Sequence, residues 1–122
     1  MQKNKMQGKF ISVIKGKILD VVVDCRKNSK TFGKYFSMYL SGKDNKSLLI
    51  PAGFAHGFCT LTDDVILYYK CSKYRHVDSE TGILWNDKDL DIKWPNKKLI
   101  ISEKDKKNLS FKEFKNLVWL NW

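Results

Sequence analysis

The chain has 122 residues, 43% of them hydrophobic and 13% aromatic, which fits one domain with one core and excludes an intrinsically disordered segment. Its net charge of +10 is carried almost entirely by lysine, with Arg26 and Arg75 the two arginines. Base reading and bidentate phosphate clamps favour arginine, so the charge argues against a nucleic-acid partner and leaves an anionic small substrate open.

No apolar run approaches the length of a bilayer span, and the opening residues lead into no signal-peptide core. A soluble, cytoplasmic protein without membrane association is expected. Cys25, Cys59 and Cys71 are odd in number and lack CxxC spacing, which indicates neither a disulfide framework nor a zinc site. In apolar stretches they read as small hydrophobes.

Lys9 to Lys15 and Lys17 to Arg26 are two β-rich runs broken by Gly16, the pattern of a hairpin. Asp20 and Asp24 punctuate the second run. A polar loop over 27–33 precedes a strand from Lys34 to Leu40, and residues 41–46 form a turn. A short strand from Leu48 then stops at Pro51, which cannot donate to a ladder. Gly53 and Gly57 frame a turn that holds His56, and a strand follows from Gly57 to Leu61. By itself His56 is either a donor presented into a pocket or a turn histidine bonded to a neighbouring carbonyl, and the second is the more ordinary.

Thr62-Asp63-Asp64 turns the chain into the aromatic strand Val65 to Ser72. A shorter strand is predicted over Ile83 to Trp85, then a loop over Asn86 to Asp91 closed by Trp94-Pro95. Ser110 and Glu113 fit a capping box, with Phe111, Phe114 and Leu117 on one helical face, so a helix is predicted from Ser110. The apolar tail from Val118 to Trp122 is expected to pack on the sheet or on a partner. Short strands at regular spacing argue for an all-β antiparallel sandwich or jelly roll with this one C-terminal helix.

Several signatures also stand in a fixed order: Gln7-Gly8-Lys9, Asp20 to Arg26, the run IPAGFAHGF from Ile50 to Phe58, Tyr69-Lys70, Glu80, Trp94-Pro95 and Ser102-Glu103-Lys104-Asp105. Together they closely resemble the dTDP-4-dehydrorhamnose 3,5-epimerase family over nearly the whole chain, to about Leu109. The resemblance implies a cupin-like jelly roll, a nucleotide-sugar substrate, no metal or other cofactor, and a homodimer. It also implies proton abstraction beside a ketone at two sugar carbons, followed by reprotonation from the opposite face.

By the same resemblance Tyr69 takes the proton-donor position, Lys9 lies near the ketone oxygen, and His56, Glu80 and Lys104 contact substrate. Asp105 takes the place of the carboxylate that orients the catalytic histidine. Taken singly, Tyr69 is one more strand aromatic, Lys9 a strand-edge lysine, and Glu80 and Lys104 solvated charges.

There are two departures from the family pattern. The family's base is a histidine in a GLHYQ-like motif just ahead of the segment matching Gln7-Gly8-Lys9, and these 122 residues contain no such motif. The resemblance therefore implies a single, N-terminally incomplete domain over 1–122, without the base and without some contacts to the nucleotide sugar. The family tyrosine that stacks on thymine falls at Arg75, whose guanidinium plane stacks on bases with less selectivity. An epimerase for another nucleotide sugar, or a non-catalytic domain that binds a sugar nucleotide, are the alternatives. Two isolated histidines do not make a metal-dependent cupin.

Overall fold

The computed structural model describes residue 1, residues 6–95 and residues 98–117. Six strands lead the chain: β1 (Lys9–Lys15), β2 (Lys17–Asp24), β3 (Tyr35–Ser41), β4 (Ser47–Ile50), β5 (Phe54–Thr60) and β6 (Ile66–Cys71). A 3-10 turn at Val77–Ser79 and two short helices, α1 (Glu103–Lys106) and α2 (Phe111–Lys115), follow.

The strands form two antiparallel sheets of three, ordered β4-β1-β6 and β3-β2-β5. The hairpin expected from β1 and β2 does not form, because the two strands lie at the centres of different sheets. Gly16 sits at a φ of 80°, and a Cβ there would come within 2.2 Å of the Asp64 carbonyl oxygen. Only glycine allows the chain to turn this corner against that backbone. One linking residue is too short for a hairpin loop, whose commonest form has two, and the corner carries the chain from one sheet to the other.

Register defines the inner faces. Ile11 and Val13 of β1, Ile18 and Val22 of β2, Leu40 of β3 and Ile50 of β4 form one buried cluster between the sheets. Burying each such aliphatic side chain contributes about 1.5–3 kcal/mol. Every residue of β2 from Ile18 to Asp24 is buried, because the other sheet covers one of its faces. Its other face, through Val23, packs with Leu90, Phe111 and Phe114 in a second cluster supplied by the C-terminal part of the chain.

The capping box at α2 forms as its sequence predicts. The Ser110 hydroxyl accepts from the Glu113 amide, and the Ser110 amide donates to the Glu113 carboxylate at 2.8 Å. Phe111 and Phe114 are the buried residues of this helix. The strand expected over Ile83 to Trp85 is reduced to a single bridge between Ile83 and Leu109, with the Leu84 amide donating to the Leu109 carbonyl and the Leu109 amide to the Gly82 carbonyl. Ser102 caps α1 by accepting from the Asp105 amide, a one-turn helix that periodicity over four residues does not reveal. The apolar tail from Val118 onward lies outside the described residues.

Phe114 is fully buried in the second cluster. Substituting Phe114→Ala is expected to lower the unfolding free energy by about 3–5 kcal/mol, read as a lower urea midpoint at unchanged slope.

Candidate active site

The glycine-rich segment after β4 folds differently from its expected turn. Pro51, Ala52 and Gly53 complete the turn, with Gly53 at a φ of 94°, and β5 begins at Phe54. His56 and Gly57 therefore lie in a strand. Ala52 and Gly53 supply the reversal, and once past them the backbone needs no further left-handed residue.

That strand assignment decides where His56 looks. It pairs with Val22, while Tyr69 of β6 pairs with Ile11 of β1 and Lys9, two residues before Ile11 on β1, shares its face. Val22 and Ile11 belong to the same inter-sheet cluster, and directly paired residues project to the same face of a sheet. His56 on one sheet and Lys9 and Tyr69 on the other thus look into the same space. Toward one end that space is filled by the core; toward the other it opens as a cavity of about 1580 Å³.

All seven side chains singled out from the sequence line this cavity: Lys9, His56, Tyr69, Arg75, Glu80, Lys104 and Asp105. Arg75 and Glu80 come from the chain after β6, on either side of the 3-10 turn. Lys104 and Asp105 come from α1. Glu80 is the junction of this rim: Arg75 donates to it through Nε at 2.5 Å and Nη2 at 2.9 Å, and Lys104 donates to Oε2 at 2.5 Å. Its side chain is 19% exposed between two partners that are 63% exposed. The Arg75 hydrogen bonds hold the Glu80 carboxyl down at about 2, with Lys104 assisting and partial burial opposing.

Asp105 accepts from the Ser102 hydroxyl at 2.7 Å and from Asn108 Nδ2 at 3.4 Å. It is exposed, in the first turn of α1, and its immediate partners are polar neighbours in the chain. Among the described residues, no group of three or more histidine, cysteine or acidic side chains is arranged to hold a metal ion, and no helix is long and apolar enough to cross a membrane.

One residue at the site escaped the sequence reading. Asp20, in the middle of β2, is fully buried, and its Oδ2 lies 2.8 Å from His56 Nε2. The signal was a carboxylate inside the apolar run KILDVVVDCR, where burial demands a partner. Pattern alone could not supply that partner, since His56 lies 36 residues along the chain. The second acid of the run, Asp24, has a different task. Burial raises its carboxyl, but hydrogen bonds from Arg26, Ser29 and Thr31 outweigh that and hold it well below the usual carboxylate range. Asp24 thereby pins the loop between β2 and β3.

Two three-stranded antiparallel sheets, closed by core at one end and opening at the other on a cavity lined from both sheets, define a cupin-like jelly roll with an interior site. The chain belongs to the dTDP-4-dehydrorhamnose 3,5-epimerase family, whose model matches residues 1–113. It is 47% identical over 108 residues to the dTDP-4-dehydrorhamnose 3,5-epimerase of Methanothermobacter thermautotrophicus, covering 86% of this chain and 58% of that protein.

Among solved structures it matches the dTDP-4-dehydrorhamnose 3,5-epimerase of Elizabethkingia anophelis with a TM-score of 0.89 at 41% identity, over 93% of this chain and 63% of that one. It also matches the dTDP-6-deoxy-D-glucose-3,5-epimerase of Legionella pneumophila, in complex with dTDP-4-keto-L-rhamnose, with a TM-score of 0.88 at 39% identity, over 91% and 60%. The chain spans about three fifths of the length of these relatives.

The Glu80 junction sets an acid dependence. Its folded-state value of about 2 lies below the ordinary 4.5, so ionised Glu80 contributes stability that is complete above about 4.5 and is lost as pH falls through about 2. Glu80→Gln is expected to lower the Tm by at most a few degrees near neutral pH, because the partners are solvated. That difference from the parent should vanish in acid, as thermal unfolding across a pH series would record.

Proposed function

We propose that this chain is part of a nucleotide-sugar epimerase that inverts C3 and C5 of dTDP-4-keto-6-deoxyglucose in deoxysugar (dTDP-rhamnose) biosynthesis, acting as a homodimer in the cytoplasm. The observation that carries this reading is the convergence of Lys9, His56 and Tyr69, from both sheets, on the cavity that Glu80 and its two cations border. The complex of the Legionella pneumophila relative with dTDP-4-keto-L-rhamnose supports the substrate class.

In this reading a base removes the proton next to the C4 ketone, and the C–H electron pair moves onto the ketone oxygen as an enolate. The Lys9 ammonium, which makes no hydrogen bond or salt bridge among the described residues, stabilises that oxygen. Tyr69 then donates its phenolic proton to the carbon from the opposite face. His56, Glu80 and Lys104 hold the sugar nucleotide, and Asp105 orients the histidine base of the family's GLHYQ-like motif. The chemistry requires no metal or other cofactor.

The outer face of the β4-β1-β6 sheet supports a second copy as partner. Phe10, Ile14, Leu49 and Tyr68 are all substantially exposed there, an apolar patch of the kind that marks protein interfaces.

A second reading, epimerisation of a different nucleotide sugar, is favoured by Arg75. Its Nε and Nη2 edge is committed to Glu80, which leaves the guanidinium plane to stack on a base without hydrogen bonds particular to thymine. Because stacking is tolerant of base identity, calorimetry with dTDP, UDP and GDP is expected to return dissociation constants within about tenfold of one another. A strong preference for dTDP would count against a stacking role for Arg75.

The reaction itself is tested by solvent deuterium exchange at C3 and C5, followed by NMR. A polypeptide of these 122 residues is expected to exchange slowly. Supplying the family's opening segment with its histidine, fused or as a separate polypeptide, should accelerate exchange by about 10²–10⁴-fold, the usual contribution of a positioned base. Rapid exchange by the 122 residues alone would assign the base to another side chain and overturn this mechanism.

A further inference from the structure

The pair formed by Asp20 and His56 is built to an unusual standard for a cavity wall. Asp20 is 0% exposed and the His56 side chain 8% exposed, with 2.8 Å between Oδ2 and Nε2. The other carboxylate oxygen, Oδ1, has no hydrogen-bond partner among the described residues. Among the described residues His56 is therefore the sole compensation for a carboxylate set in the apolar centre of β2, between Ile18 and Val22. The two side chains need each other, since a buried acceptor left alone is costly.

We propose that Asp20 is a positioning residue of this site: it holds His56 in the tautomer with its proton on Nε2, leaving Nδ1 as the one acceptor nitrogen the imidazole offers to a ligand. An ionised carboxylate can only accept, so the nitrogen facing it must carry the proton, and a neutral ring then has its lone pair on the other nitrogen. Among the described residues Nδ1 has no protein partner. The chemistry of the opposite wall gives this acceptor its use. Lys9 can only donate and is suited to a carbonyl or oxyanion, whereas an acceptor nitrogen selects a hydroxyl. The ligand feature read by His56 is thus a sugar hydroxyl, which rests on the nucleotide-sugar reading; the tautomer does not.

The same logic explains why a histidine paired with a buried acid suits this wall. A serine or asparagine at position 56 could turn its hydroxyl or amide and present either a donor or an acceptor. The imidazole anchored at Nε2 cannot, and it arrives at the cavity with its hydrogen-bonding sense already set.

The test is NMR of the 122-residue chain labelled with ¹⁵N-histidine, with the His76 signals identified through His76→Gln. In its neutral form His56 is expected to carry its proton on Nε2. In Asp20→Asn the amide NH₂ can donate to Nε2, which moves the ring proton to Nδ1. Calorimetry accompanies the spectra, with dTDP and dTDP-glucose as probes. The parent is expected to bind dTDP-glucose more tightly than dTDP. In Asp20→Asn that sugar-dependent gain should fall about tenfold or more while dTDP affinity is retained, because a hydroxyl now meets an N–H instead of a lone pair.

The parent spectrum alone can overturn the inference: a neutral His56 protonated on Nδ1 would mean that Asp20 is the donor. This holds even if Asp20→Asn fails to fold. An unchanged sugar-dependent gain in a folded Asp20→Asn protein whose ring proton has moved to Nδ1, or a ring proton that stays on Nε2 in folded Asp20→Leu, which offers Nε2 no acceptor, would overturn the positioning role. If the parent binds neither probe even when the family's opening segment is supplied, while the ring carries its proton on Nε2, the nucleotide-sugar reading fails and the Asp20–His56 assignment stands.

Discussion

The contact of Ile11 and Val13 in β1 with Ile18, Val22 and Leu40 across the sandwich is the constraint on which the rest of this structure depends. β1 and β2 are consecutive, yet each is the central strand of its own sheet, so the apolar cluster between them must form for either sheet to be positioned. Close packing of branched side chains fixes the separation and the relative register of the two sheets. His56 and Tyr69 line one cavity because their strand partners Val22 and Ile11 meet in that cluster. The site is in this sense an extension of the core, made where apolar filling gives way to open space.

Polar groups are admitted to the interior on strict terms. Asp24 is surrounded by Arg26, Ser29 and Thr31, all within eight residues along the chain, and its work is to hold a loop. Asp20, four residues earlier on the same strand and the same face, has among the described residues one partner and a second oxygen that takes none. Removing one member of a buried, hydrogen-bonded charged pair typically costs about 3–5 kcal/mol, a cost that a purely structural position would ordinarily avoid by using an apolar residue. The contrast between two acids on one strand sets Asp24, which ties a loop, apart from Asp20, which meets one side chain of the cavity wall.

The rim is organised by different physics. Arg75, Glu80 and Lys104 meet in water-exposed segments with little secondary structure of their own, and Glu80 joins two of them with charge-assisted hydrogen bonds. Such links contribute modestly to stability but define geometry, since the planar guanidinium is held by two parallel bonds. A packed interior and a rim tied by ion pairs thus border the same cavity.

Most of the fold was legible in the chain. The strand runs and turns from Lys9 to Cys71 followed from β-rich runs broken by Gly16, Pro51 and the polar loops, and the capping box announced α2. These are local signals, and local backbone preference needs no knowledge of what lies across the sandwich. The ordered motifs carried the family and the seven cavity residues as a set. What the sequence could not decide was every question of partnership between distant residues. It did not reveal that Gly16 turns a corner between sheets instead of closing a hairpin, because that depends on Asp64 packing against it. Nor did it reveal that His56 lies in a strand, or that its partner is Asp20, since the register of β5 on β2 is set by which face each strand buries. A carboxylate inside an apolar run and a histidine in a glycine-rich segment are separate local signals; only the tertiary fold brings them within a hydrogen bond.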